Sequence, residues 1–367
     1  MTYAAESSAL DAEIFAVIDG WHAHERDLPE AQFDDLASRL LEYQLRYNAP
    51  YARYCASAGI SRSSLPARWE AIPAVPAAAY KEAALATFDP ASAALAFETS
   101  GTTTGTGGRH FMETRALYDA ALLAGFDRFV LGDGARLRYF NVVPNPADRP
   151  HSSLGYMMQQ VSLHFGDGQT GWYVRGDELF VDAFIADARA AAGDNAAVCV
   201  GTTAFGLLHI LDELERRGID LPLPPASRIM ETGGFKGRTR AVAREELYAR
   251  ASRAFDLPVT AIVAEYGMTE LTTQYYDAPL SRGAPEGRRK IAPPWLRTRV
   301  AGADGKTLPD GTVGALVHVD LGNRSSCIAV ATEDLGVRFT DGLVVIGRDA
   351  GASLRGCSLD AETLLPR

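Results

Sequence analysis

The chain is 367 residues long, carries 36 Lys and Arg against 46 Asp and Glu for a net charge of −10, and is 47% hydrophobic. That composition excludes a disordered chain and leaves room for two or three domains at roughly 100 to 200 residues each. The acidic balance, with a pI near 5.3, argues against nucleic acid and anionic membrane as partners, because both need clustered positive charge.

From the N-terminus, acids fall within Met1–Glu13 where a signal peptide needs a basic start and an apolar run, and no stretch approaches the roughly 18 apolar residues of a membrane span. A cytoplasmic protein is expected. Ile14, Ala16, Val17 and Ile18, then Leu36, Leu40, Leu41, Tyr43 and Leu45, recur at helical spacing and predict helices. Pro66, Pro73 and Pro76 break that pattern. A helical region over 1–93 is expected to pack on a separate core.

Over 94–295, strand-like runs (Leu137–Val143, Ala196–Val200, Arg228–Met230, Ala261–Ala264) alternate with helices predicted near Leu179–Ala192, Phe205–Arg217 and Arg244–Phe255. This alternation predicts an α/β core with a mostly parallel sheet. Over 296–367 the pattern turns to β: Val300, Leu316–Val319, Ile328–Ala331, and a hairpin of Val337–Thr340 with Leu343–Ile346 turning at Asp341-Gly342. A small antiparallel subdomain and a C-terminal tail are expected there.

Cys55, Cys199, Cys327 and Cys357 form no CxxC pair, which excludes a disulfide scaffold and a zinc site. Cys199 and Cys327 lie in apolar runs and read as core thiols, and Cys55 as packing. Lysine occurs only at 81, 236, 290 and 306, so any catalytic lysine is one of four. Of these, Lys81, Lys290 and Lys306 read as connector or turn residues. His22 and His24, two apart on a helix, point to different faces and read as surface residues.

Three segments carry chemistry. Thr99–Gly108 is an unbroken run of Ser, Thr and Gly, rich in the amides and hydroxyls that a polyphosphate needs. It matches neither a Walker A loop nor GxGxxG, and by composition alone a flexible linker is an equal alternative. Ile229–Gly237 sets Gly233-Gly234 after a strand with Lys236 close behind, a place for backbone to approach a ligand. Ala264–Glu270 follows another strand and ends in a carboxylate suited to a hard cation such as Mg²⁺. Ligands bind outside the carboxyl ends of parallel strands in α/β folds.

In this order the segments resemble the adenylate-forming superfamily of acyl-CoA synthetases, peptide-synthetase adenylation domains and firefly luciferase. TSGTT at 99–103 is similar to its phosphate loop, YGMTE at 266–270 to its adenine and magnesium motif, Thr332–Gly336 to its TGDLG, and Gly347-Arg348-Asp349 to its hinge GRxD. A closer resemblance is to the acyl-protein synthetase of bacterial bioluminescence, through His151–Met157, Thr232–Gly237 and Arg355–Leu359, and to a short branch that adenylates aromatic acids such as phenazine carboxylates.

The resemblance implies the large N-terminal domain of that superfamily, with the mobile C-terminal domain expected to be absent because the chain ends soon after Arg348. It implies ATP and Mg²⁺ as cofactors, and activation of a fatty or aromatic carboxylic acid to an acyl-adenylate. The acyl group then passes to a thiol, either Cys357 or an outside acceptor such as a carrier protein, coenzyme A, an amine or a reductase partner.

Thr99, Ser100, Gly101, Thr102, Thr103, Thr104 and Gly105 would hold the phosphates. Thr232, Gly233, Gly234, Glu265, Tyr266, Gly267, Met268 and Thr269 would line the nucleotide site, with Glu270 on Mg²⁺ and Asp334 on the ribose. His164, Gly234 and Phe235 would border the acid, although His164 also reads as a structural histidine. Tyr275 and Tyr276 extend past YGMTE and read equally as acid-site border or aromatic core. Arg109-His110 stands where the superfamily has a lysine after its phosphate loop, and Lys236 or Arg348 would supply the missing cation. Lys236 as a surface residue and Cys357 as a packed thiol are the plainer readings. A member that binds an adenylate or docks a carrier without turnover is the alternative function.

Overall fold

Thr2 starts the first helix by accepting the Ala5 amide on its side chain, and Leu10, Ile14, Ile18 and Trp21 form the buried stripe of α1 (Tyr3–His24). The computed structural model describes residues 2–99, 107–233, 242–277 and 288–348. Helices α2 (Glu30–Tyr47) and α3 (Ala49–Ser57) come after it; Asn48 caps α3 through Tyr51 N at 3.1 Å. The proline-rich connector contains a two-residue strand, β1 (Val75–Pro76), and leads to α4 (Ala79–Glu82).

A hairpin of β2 (Leu95–Glu98) and β3 (Arg109–Met112) comes next, then α5 (Ala116–Phe126). The α/β stretch runs β4 (Leu137–Pro144), α6 (Ser153–Phe165), β5 (Gly166–Arg175), β6 (Glu178–Leu179), α7 (Val181–Gly193), β7 (Val198–Thr203) and α8 (Ala204–Arg217). It closes with β8 (Arg228–Thr232), α9 (Arg244–Phe255), β9 (Ile262–Tyr266) and β10 (Tyr275–Tyr276). Last are β11 (Leu296–Ala301), β12 (Val313–Asp320), β13 (Ala329–Phe339) and β14 (Gly342–Arg348). Among the described residues no helix is long and apolar enough to cross a membrane.

Two compact units interleave along the chain. The described residues of the first fall within Met1–Ala124, Met268–Gln274 and Ile291–Arg367; those of the second fall within Gly125–Gly267 and Tyr275–Lys290.

The second unit is built on a seven-stranded sheet ordered β10-β9-β8-β7-β4-β5-β6, parallel throughout except at its two edge pairs. Phe184, Leu207, Leu211, Leu247 and Phe255 from α7, α8 and α9 pack on Val198, Val200, Ile229 and Ile262. Each such side chain contributes on the order of 2 kcal/mol by leaving water. Tyr275 and Tyr276 are fully buried on the edge strand, with Tyr276 stacked on Phe129.

In the first unit β1, β13, β12 and β11 lie side by side, and β14 pairs with β13. Two buried amides from the N-terminal helices hold the segment after β12. Gln44 Nε2 donates to Asn323 O at 2.8 Å while its Oε1 accepts Ile328 N at 2.8 Å, and Asn48 Nδ2 donates to Ser326 O at 3.0 Å. Arg324, 1% exposed, closes the same segment with ion pairs to Asp11 and Glu113. Cys55 and Cys327 are buried in this unit and Cys199 in the other.

Two details differ from the expectations drawn from sequence. Most of Ile328–Ala331 and Val337–Thr340 belongs to one strand, β13, because the chain stays extended through the polar Thr332–Asp334, which drops out of register with β12 while Asp334 keeps its place opposite Arg348. The hairpin turns at Thr340-Asp341, with Phe339 opposite Gly342, and Gly342 opens the return strand at φ 141, a backbone angle that suits glycine.

Candidate active site

The β2–β3 hairpin presents the Ser/Thr/Gly run. Beyond the last strand pair, Glu98 opposite Arg109, Thr99 N donates to Gly108 O at 2.8 Å and Gly108 N donates to Thr99 Oγ1 at 2.8 Å. The loop between them therefore has a fixed base. A Cβ added at Gly107 would come within 2.6 Å of Thr99 O, and one at Gly108 within 2.8 Å of the Tyr80 backbone, so glycine is required at both positions. Ser100, Gly101, Thr102, Thr103, Thr104 and Gly105 lie outside the described residues.

The same unit holds Met268–Gln274, which carries the end of YGMTE. His110, 1% exposed at the start of β3, approaches Thr269 O with Nδ1 at 2.8 Å and Ser326 Oγ with Nε2 at 2.8 Å, its ring edge-on to Tyr80. A carbonyl only accepts, so Nδ1 carries the proton and Nε2 accepts from the serine hydroxyl. Burial pushes the His110 pKa down to about 4, which keeps the ring neutral.

Glu270 is buried and its carbonyl accepts Asn323 Nδ2 at 2.9 Å. Asp320 accepts Thr272 N at 3.0 Å, Thr273 N at 2.9 Å and Thr273 Oγ1 at 2.8 Å, while burial raises its pKa to about 6. Asp334 sits half-buried in β13 opposite Arg348 of β14, and its amide donates to Thr332 Oγ1 at 3.1 Å.

In the second unit β8 and β9 end side by side, with Thr232 opposite Glu265 and the threonine hydroxyl donating to that carboxylate. Gly233 comes next at φ 80, and Tyr266 lies 5.6 Å from the Tyr275 ring. Gly267 comes directly after β9. Gly234, Phe235 and Lys236 lie outside the described residues, as does Cys357. His164 is exposed at the end of α6, its ring against Phe165 and its carbonyl bonded by Arg136.

Beneath these strand ends is a charged cluster of which the sequence gives a single trace. Glu231 is fully buried in β8, where Tyr248 Oη donates to it at 2.5 Å and Arg244 approaches at 3.4 Å. Lys290, expected from sequence to be a connector residue, is 6% exposed and donates to Ala264 O at 2.6 Å. Burial lowers the Lys290 pKa to about 8 against the opposing pull of Asp277, Glu231 and Glu265. Asp277 accepts Ala264 N at 2.6 Å and pairs with Arg288 at 3.2 Å. A carboxylate interrupting the apolar run Ile229-Met230 was the visible signal. The partners come from distant positions that no local pattern connects.

No family model matches the chain, and no curated protein does. Solved structures do. An open conformation of 2-hydroxyisobutyryl-CoA ligase in complex with 2-HIB-AMP and CoA superposes with a TM-score of 0.65 at 14% identity, covering 90% of this chain and 78% of that one. McyG A-PCP complexed with phenylalanyl-adenylate gives 0.52 at 19% identity, covering 72% and 48%. This chain has the fold of the large domain of adenylate-forming enzymes. The amide bond synthetase McbA from Marinactinospora thermotolerans, at 0.50 and 20% identity, covers 71% of this chain, which spans about half of McbA's length at 49%.

Proposed function

We propose that the protein activates a carboxylic acid with ATP and passes the acyl group to a thiol. One carboxylate oxygen attacks the α-phosphorus, the bond to the β-phosphate oxygen breaks, and pyrophosphate leaves with its electron pair. The thiol then attacks the carbonyl carbon, loses its proton, and AMP departs. Adenylation is needed because a free carboxylate is a poor electrophile. The protein supplies positioning and charge neutralisation.

One observation carries this reading: the hairpin that presents TSGTT and the segment that carries Glu270 belong to one unit and are joined by the His110 bond to Thr269, at 2.8 Å. The residues fit a magnesium nucleotide. The loop base admits only glycine at 107 and 108, which brings backbone close, and Glu270 is a hard oxygen donor of the kind Mg²⁺ takes. Mg²⁺ at Glu270 would offset phosphate charge.

Thr99 to Gly105 take the phosphates, Thr232 to Gly234 with Glu265 to Thr269 take the nucleoside, and Asp334 takes the ribose. Lys236 or Arg348 neutralises charge at the carboxylate, and Gly234 and Phe235 border the acid. Cys357 is the acyl acceptor in the bioluminescence-like reading, with a carrier protein, coenzyme A or an amine as the outside alternative.

Pyrophosphate release with ATP and a panel of fatty, aromatic and amino acids tests the reading. Release with at least one acid supports it; ATP binding without release for any acid replaces it with a non-turnover binder. Intact mass after incubation with ATP and the acid then separates the acceptors. A hydroxylamine-labile adduct lost in Cys357→Ser identifies self-acylation, and release without adduct points outside the chain.

A further inference from the structure

Glu270 has both of its flanking peptide groups anchored. The carbonyl before it, Thr269 O, accepts His110 Nδ1–H at 2.8 Å, and its own carbonyl accepts Asn323 Nδ2 at 2.9 Å. Peptide groups are planar, so holding these two oxygens restrains the φ and ψ of Glu270 and with them the direction of its Cα–Cβ bond. Asn323 belongs to the segment that Gln44 and Asn48 hold. His110 belongs to the loop hairpin itself, two residues past Gly108.

We propose that His110 is a positioning residue that couples the described base of the β2–β3 hairpin, Thr99 with Gly108, to the segment of the metal carboxylate, setting where Glu270 starts relative to that base. The proposal rests on the magnesium-nucleotide reading. Arg109 is committed elsewhere, to Glu98 at 2.7 Å, so the link passes through the imidazole. Ser326 selects the tautomer: its hydroxyl donates to Nε2 at 2.8 Å, leaving the proton on Nδ1 for Thr269. Ser326 O is itself held by Asn48, so the ring is braced from both sides. With the ring 1% exposed, no bulk water can replace a lost bond.

The test is the affinity for ATP, measured by calorimetry once with Mg²⁺ and once in EDTA, for the wild type, His110→Ala, His110→Asn and Ser326→Ala, with a thermal melt of each. His110→Ala is expected to weaken binding about tenfold with Mg²⁺ and little in EDTA, the loss of one buried hydrogen bond felt only through the metal. His110→Asn, whose amide N–H stands near the Nδ1 position, keeps most of the Mg²⁺ gain. Ser326→Ala loses part of that gain, and it decides the matter if His110→Ala does not fold. An unchanged Mg²⁺ gain in the variants, or equal weakening in both conditions, overturns the coupling. Absence of ATP binding by the wild type in either condition overturns the nucleotide reading and this inference with it.

Discussion

Asp334 shows what one side chain at a strand position can contribute. Its amide is fixed by Thr332 and its cross-strand neighbour is Arg348, so the backbone under the carboxylate is set while the residue stays half-buried. If it holds the ribose hydroxyls, Asp334→Ala should lose about 1.5 to 3 kcal/mol of ATP affinity. A melting temperature near that of the wild type would accompany it; calorimetry showing wild-type affinity would remove the ribose role. Lys236→Ala should slow adenylation in single-turnover kinetics and leave ATP affinity nearly unchanged, as expected of a cation that acts on the developing charge. At this scale the motif residues were legible because their types are unusual in sequence. The structural roles of Lys290, Glu231 and His110 were not, since those depend on burial and on partners far along the chain.

The element that most constrains the site is Met268–Gln274, which has little regular structure of its own and is held through Asp320 and Asn323. Removing the Asp320 carboxylate leaves the buried Thr273 and Gly322 amides without their acceptor, while Thr272 N keeps Asn323 Oδ1 at 2.8 Å. Asp320→Ala should therefore cost at least about 3 kcal/mol in urea unfolding, and Asp320→Asn less. Equal stability of Asp320→Ala and wild type would show that this segment is held by something else. YGMTE was readable as one motif, yet its first two residues belong to one unit and its last three to the other. Strands of the α/β stretch were legible because full burial leaves long apolar runs. Strand β13 was read as two pieces because the polar Thr332-Glu333-Asp334 interrupts its apolar pattern at the point where its register with β12 shifts.

Across the whole molecule, two neutral imidazoles are locked inside the first unit. Burial lowers His110 to about 4 and His318 to about 3, from an ordinary 6.5. Below 6.5 the unfolded chain binds protons that the folded one refuses, so stability is complete above about 6.5 and falls as the pH drops toward 4. Asp320, raised to about 6, works in the opposite direction with a smaller shift than the two imidazoles together. Urea midpoints should therefore fall between pH 6.5 and 4, with His110 alone accounting for about 3 kcal/mol, and His110→Gln should flatten the slope. Parallel curves for variant and wild type would contradict this.

The α/β architecture was predictable from alternating helical and strand periods. The return of Met268–Gln274 and of the C-terminal strands to the N-terminal helices was not, because those contacts depend on single buried amides such as Gln44 and Asn48 rather than on a period. The central claim, that a carboxylate oxygen bonds to the α-phosphorus of ATP, is tested most directly with an acid labelled in its carboxyl group with heavy oxygen. After turnover with a thiol acceptor, mass spectrometry should find one heavy oxygen in AMP and one in the acyl product. AMP without label, or ADP and phosphate in its place, would contradict the account.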